Sequence, residues 1–126
     1  MCIRDRLKVE IAKKPRDLEK GLMFRTKLPQ DNGMLFIFDS PQHLNFWGRN
    51  TYIPLDIAFV NPDGVIEKIS HISPLSEKHV SSDNQCAMAI EANLGYFSYR
   101  NVKSGDKITI DELSDKTGMV LFHKVI

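Results

Sequence analysis

Leu7, Val9 and Ile11 alternate with Lys8 and Glu10, a period of two that predicts a strand with one buried face. The period then changes. Pro15 suits the first turn of a helix, Asp17 and Glu19 favour its positive end, and Leu18 and Leu22 fall four apart on one side. These features predict a short helix from Pro15 to about Arg25. Gly21 inside it costs about 1 kcal/mol relative to alanine, which points to close packing of another backbone there.

Leu28 to Gly33 is turn chemistry, with Asn32-Gly33 suited to the positive-φ positions of a reversal. Met34 to Phe38 is an unbroken apolar run, the pattern of a strand covered on both faces. Asp39-Ser40-Pro41-Gln42 predicts another turn, after which Leu44 and Phe46 alternate with His43, Asn45 and Trp47. Gly48 to Thr51 reads as a loop. Leu55, Ile57 and Phe59 then alternate with Asp56 and Ala58, turning Asp56 away from the Leu/Ile/Phe face.

Asn61-Pro62-Asp63-Gly64 is a strong β-turn that should lead into a returning arm from Val65 to Ile72. Ser73 to Gln85 is a long polar loop, of a kind that can cover a site. Cys86, Met88 and Ile90 make an apolar face opposite Ala87, Ala89 and Glu91, and the two alanines suggest close packing beside the acid. Asn93 is placed to cap a helical turn through Tyr99. Strands around Ile108 to Ile110 and Met119 to Ile126 complete the pattern. Its sum is a mainly β domain, a compact jelly-roll-like sandwich or barrel of about seven to eight strands with one short N-terminal helix.

A chain of 126 residues is one domain by length and can bury a real core. Met1 to Arg6, MCIRDR, lacks the apolar core of a signal peptide and reads as a non-native tail, leaving residues 7–126 as the domain. The hydrophobic fraction is 42%, and no apolar run approaches the length of a membrane span, so the chain reads as soluble. A formal charge of +1 argues against a nucleic-acid footprint, which needs concentrated basic charge. Cys2 and Cys86 differ in setting, one in the tail and one in an apolar strand, which disfavours a structural disulfide.

The chemistry is sparse. Serine-hydrolase, zinc-protease and paired-cysteine motifs are absent, as is a phosphate-binding glycine loop, so no cofactor is expected. The four histidines are spread singly. A metal site from His71, His79 and a carboxylate is the weaker reading beside ordinary surface histidines. Trp47 suits either a stacking platform for a sugar or flat ring, or a core anchor. Arg25 and Arg49 suit anion forks or salt bridges to Asp56 and Glu91. Asn50 suits a ligand contact or a bond to its own loop. Asp56 and Glu91 are the acids placed inside apolar strands, and facing one cleft they could serve as acid and base.

Several motifs in order resemble the DUF192 family: Gly21-Leu22-Met23-Phe24-Arg25, Gly33 to Phe38, Phe46-Trp47-Gly48-Arg49-Asn50-Thr51, Ile53-Pro54-Leu55-Asp56-Ile57-Ala58-Phe59, Glu91 to Phe97, and Gly105-Asp106. The resemblance runs from about Val9 to Ile108. It implies a small prokaryotic β-rich domain, often found behind an export signal or lipoprotein anchor, which would place it in the periplasm where such a signal precedes it and in the cytoplasm otherwise. It implies no mechanism. Gly48-Arg49 stands where family members usually carry Met-Lys.

Three readings follow. The leading one is a non-catalytic binding module in which Arg25, Trp47, Arg49, Asn50, Asp56 and Glu91 line one cleft for a small polar molecule, sugar or peptide. The others are a hydrolase using Asp56 and Glu91, and a purely structural polar network.

Overall fold

Strand β2 (Asn32–Phe46) and strand β5 (Val80–Asn93), the two longest elements, pair antiparallel and carry the rest of the architecture. The computed structural model describes residues 3–124, with side chains from Arg6 onward. The remaining elements are β1 (Ile3–Ala12), α1 (Pro15–Lys20), β3 (Leu55–Val60), β4 (Ile66–Ile72), α2 (Tyr96–Tyr99), β6 (Lys107–Glu112) and β7 (Thr117–His123). The seven strands form one curled sheet, a half-barrel, in the order β4-β3-β5-β2-β1-β7-β6. Only β1 and β2 run parallel; α1 lies in the crossover that such a pair needs.

The curl brings the two ends of the sheet together. Val65 bridges Lys107, and backbone bonds run from Ile66 N to Asp106 O (2.9 Å) and from Ile108 N to Gly64 O (2.9 Å). Inside the curl, Leu7, Val9, Leu35, Ala58, Ile90 and Val120 form the main core, with Tyr96 and Phe97 of α2 packed against it. A second cluster covers the outer face, where Leu22 and Leu28 lie over Met34, Phe36, Ile57, Phe59 and Ala89. The β3 strand is therefore buried along its whole length. Each large aliphatic or aromatic side chain buried in these layers stabilises the fold by roughly 1.5–3 kcal/mol.

Several local expectations are corrected. Asp39 to Gln42 does not reverse the chain. These residues lie within β2 at a register shift between Ile37 and Gln42, and such an irregularity accommodates Pro41, which has no N–H to donate. Because β2 continues, β5 pairs with it from Val80 onward, so the polar loop spans only 73–79. Helix α1 stops at Lys20 with Gly21 at its C-cap (φ +49), and the group packed against that glycine is the Phe36 ring rather than a backbone. Gly33 is required by close approach: a Cβ there would sit 2.3 Å from the carbonyl oxygen of Glu91. Asn93 does not cap α2. Its amide donates to Leu28 O (2.9 Å), and the residue preceding α2, Gly95, donates its N–H to Asp56 Oδ2 (2.8 Å).

Met1 and Cys2 lie outside the described residues. Cys86 is a free, buried thiol, pushed up in pKa by desolvation and then by the nearby Glu67 charge.

Candidate functional site

The ladder register decides which polar groups can meet. Glu91 stands opposite Met34 on one side and Ile57 on the other, so its side chain belongs to the outer face with Phe36 and Ala89. The carboxyl is almost fully enclosed, with the residue 4% exposed, and it makes no hydrogen bond or ion pair among the described residues. Desolvation raises its pKa to about 8. A carboxyl in that setting keeps its proton at neutral pH.

Over Glu91 lies a pocket of about 420 Å³. Leu18 of α1 and the following Leu22 and Met23 form one wall, and Phe36, Phe38 and Phe46 of β2 form the other. Phe46 meets Phe36 edge-on at 4.9 Å and Phe38 at 6.3 Å, which gives the β2 wall defined ring orientations. Trp47 and Thr51 close one end, and Glu19 and Lys20 are the charged groups besides Glu91 that line the cavity.

The loop carrying Trp47 is held from two sides. Gly48 N donates to Ser76 O (2.7 Å), Leu75 N to Thr51 O (3.0 Å), and Phe24 N to Asn50 O (2.7 Å). Gly48 admits no side chain, since a Cβ would fall 2.1 Å from Ser73 O. Asn50 has φ +56, a left-handed conformation that asparagine tolerates better than most residues. Its observed role is local, as the backbone acceptor for Phe24. The Trp47 ring is half-buried, meets His79 edge-on at 5.5 Å, and carries the Arg49 guanidinium 5.4 Å from its centroid. Arg49 also lies 3.8 Å from Glu77 and stands outside the pocket lining.

The six singled-out residues therefore do not share one cleft. Trp47 and Glu91 line the pocket, while Arg49 and Asn50 sit on the Trp47 loop. Arg25 forms a bidentate pair with Glu10, which lowers the Glu10 pKa and raises that of the guanidinium; it pairs with neither Asp56 nor Glu91. Asp56 points to the inner face, opposite His71, with Oδ1 2.5 Å from His71 Nδ1 and Oδ2 accepting the Gly95 N–H. It lines a different cavity, beside Phe97 and Lys103. Asp56 and Glu91 thus do not face one cleft as an acid–base pair. His71 and His79 are likewise separated, one on Asp56 and one on Trp47, and among the described residues no group of three His, Cys, Asp or Glu side chains could hold a metal.

Sequence reasoning missed the α1 wall and the alignment of Phe36, Phe38 and Phe46 on the Glu91 face. The alternation of Met34, Phe36 and Phe38 was the available signal, masked by the apolar Leu35 and Ile37 between them.

A curled β half-barrel bearing a glutamate-floored apolar pocket on its outer face is the class that fold and site define. The chain belongs to the DUF192 family, described as "Uncharacterized ACR", whose model matches residues 2–110. A solved structure from Sinorhizobium meliloti 1021, provisionally described as a transcription regulator, is 31% identical and superimposes with a TM-score of 0.77, covering 85% of this chain and 95% of its own. A protein of unknown function from Novosphingobium aromaticivorans is 37% identical with a TM-score of 0.76, over 79% of this chain and 71% of its own. Comparison with curated proteins gives no match.

Proposed function

We propose that the protein is a non-catalytic binding module whose ligand is a small molecule with an apolar body and one polar end, seated in the pocket above Glu91. The observation that carries this reading is the Glu91 carboxyl itself. The residue is 4% exposed, and its carboxyl has no protein partner among the described residues. No fully enclosed side-chain polar atom lacks a partner among the described residues, so the unpartnered carboxyl opens onto the pocket it lines, where a ligand group can bond it. The lining of phenylalanine, leucine, methionine and tryptophan matches the apolar character of small-molecule sites with a few placed polar groups. The Phe36, Phe38, Phe46 and Trp47 rings favour an apolar body, with Glu19, Lys20, Asn45 and Thr51 as the further polar lining.

The neighbour's provisional description as a regulator finds no support in net charge, since 17 Lys and Arg against 16 Asp and Glu leave a formal +1. The pocket reading is tested by nuclear magnetic resonance titration, following the indole N–H of the only tryptophan, Trp47, and the Leu22 methyl groups. Small aromatic compounds should shift both sets of signals saturably. No shift across neutral, anionic and cationic aromatics would overturn the reading.

A further inference from the structure

The pocket's chemistry narrows the ligand class. Glu91 has four lone-pair positions and no donor aimed at any of them among the described residues. The charged groups facing it across the pocket are Glu19 and Lys20 of α1, and neither forms an ion pair with it. Asn45 and Thr51 also line the pocket, and the rest of its walls are aromatic and aliphatic; aromatic faces attract cations through their quadrupole. Trp47 already shows this affinity, with the Arg49 guanidinium against its ring. Arg25 and Arg49 are engaged by Glu10 and Glu77, so the nearby guanidinium groups have other carboxylates.

We infer that the ligand is a hydrophobic ammonium compound, whose N–H donors and positive charge meet the Glu91 carboxylate while its apolar body fills the space between Leu22, Phe36, Phe46 and Trp47. This rests on the pocket reading above and specifies its ligand. A neutral acceptor could take only one hydrogen bond from the protonated acid. An ammonium group offers up to three donors and a charge, and it makes ionised Glu91 the favoured form. Burial pushes the Glu91 pKa up to about 8, so at pH 7 the carboxyl of the empty pocket is mainly protonated. Binding therefore transfers that proton to buffer: the ammonium enters with its own protons, and the carboxylic acid releases one.

Benzylamine, with benzyl alcohol as its neutral counterpart, is the test pair, titrated into the full chain by isothermal calorimetry at pH 7 in two buffers of different ionisation heat. Benzylamine should bind at least tenfold more tightly than benzyl alcohol and release protons to buffer as it binds. Its affinity should rise between pH 6 and pH 8.5, where Glu91 ionises and the amine remains protonated. Glu91→Gln, which keeps the shape of the protonated side chain, should remove the amine's advantage and the proton release. Equal binding of the alcohol and the amine, or an amine advantage that survives Glu91→Gln, overturns the ammonium assignment and leaves the pocket standing. Absence of binding by either compound, with no Trp47 shift, overturns both.

Discussion

Ile57, and not Asp56, stands opposite Glu91 across the β3–β5 ladder, so the two most deeply buried acids among the described residues point to opposite faces of one sheet. Their energetic roles differ accordingly. Asp56 is held by His71 and by the Gly95 N–H, joining β3 to β4 and to the start of α2. Asp56→Asn should destabilise the fold by roughly 1–3 kcal/mol, because it removes the charge from two hydrogen bonds at a buried position. Glu91→Gln should change stability by less than about 1 kcal/mol at pH 6. The side chains share no partner, so the double variant should equal the sum within about 0.5 kcal/mol in urea titrations. A larger coupling would contradict the separation of the faces.

Stability should fall as pH rises from about 4.5 to about 8. Glu91 has a folded pKa of about 8 against an ordinary value of 4.5, so across that window the folded chain holds a proton that the unfolded chain has released. Protonation then favours the folded state; the stabilisation is complete below the lower value, is lost as pH approaches the upper one, and levels off beyond it. The urea midpoint at pH 8.5 should lie below that at pH 6, by a free energy on the order of a few kcal/mol. In Glu91→Gln this slope should disappear. Glu10, whose pKa Arg25 lowers, acts with the opposite sign and at lower pH, its contribution being lost as pH falls.

Arg25→Ala should leave the pocket unchanged. Its bidentate pair with Glu10 is more than a third exposed on both sides, so solvent screening holds its contribution below about 1 kcal/mol. The Trp47 titration with benzylamine should match the unmodified protein. A tenfold loss of affinity would show that Arg25 reaches the ligand, contrary to its position.

Two glycines should resist replacement for the same steric reason but with different readouts. Gly33→Ala drives a methyl into the Glu91 carbonyl, and Gly48→Ala drives one into Ser73 O. Each should cost roughly 1–3 kcal/mol, or more where the backbone cannot shift. Gly48→Ala should also red-shift the fluorescence of Trp47 by loosening its loop. Gly33→Ala should leave the emission maximum nearly unchanged while lowering the melting temperature.

Much of the sheet was legible because period-two patterning reports one buried face directly: β1, β3 and the Asn61–Gly64 turn into β4 stand near their expected places. Pro41 and its polar neighbours concealed the continuity of β2, since a register shift and a chain reversal use the same residue types. At the site, Glu91 and Trp47 could be selected by chemistry. Assigning Asp56 to the same cleft failed because alternation orders faces within a strand, whereas the face shared between strands depends on register. Arg25 found Glu10, a partner on a strand whose outward side had looked merely solvated.

The bridge between Val65 and Lys107 also bears on how this protein meets other molecules. An open sheet presents two rows of unpaired N–H and C=O groups that invite another strand. Here the segment from Ser104 to Ile108 occupies the start of the β4 edge, with Gly105 N on Ile66 O and Ser104 Oγ on Glu67 O. One sheet end thus shields the other, and the curl that encloses the core also withdraws a stretch of backbone from strand addition. At Ile66 and Glu67 the β4 backbone is already taken by the opposite end of the same sheet.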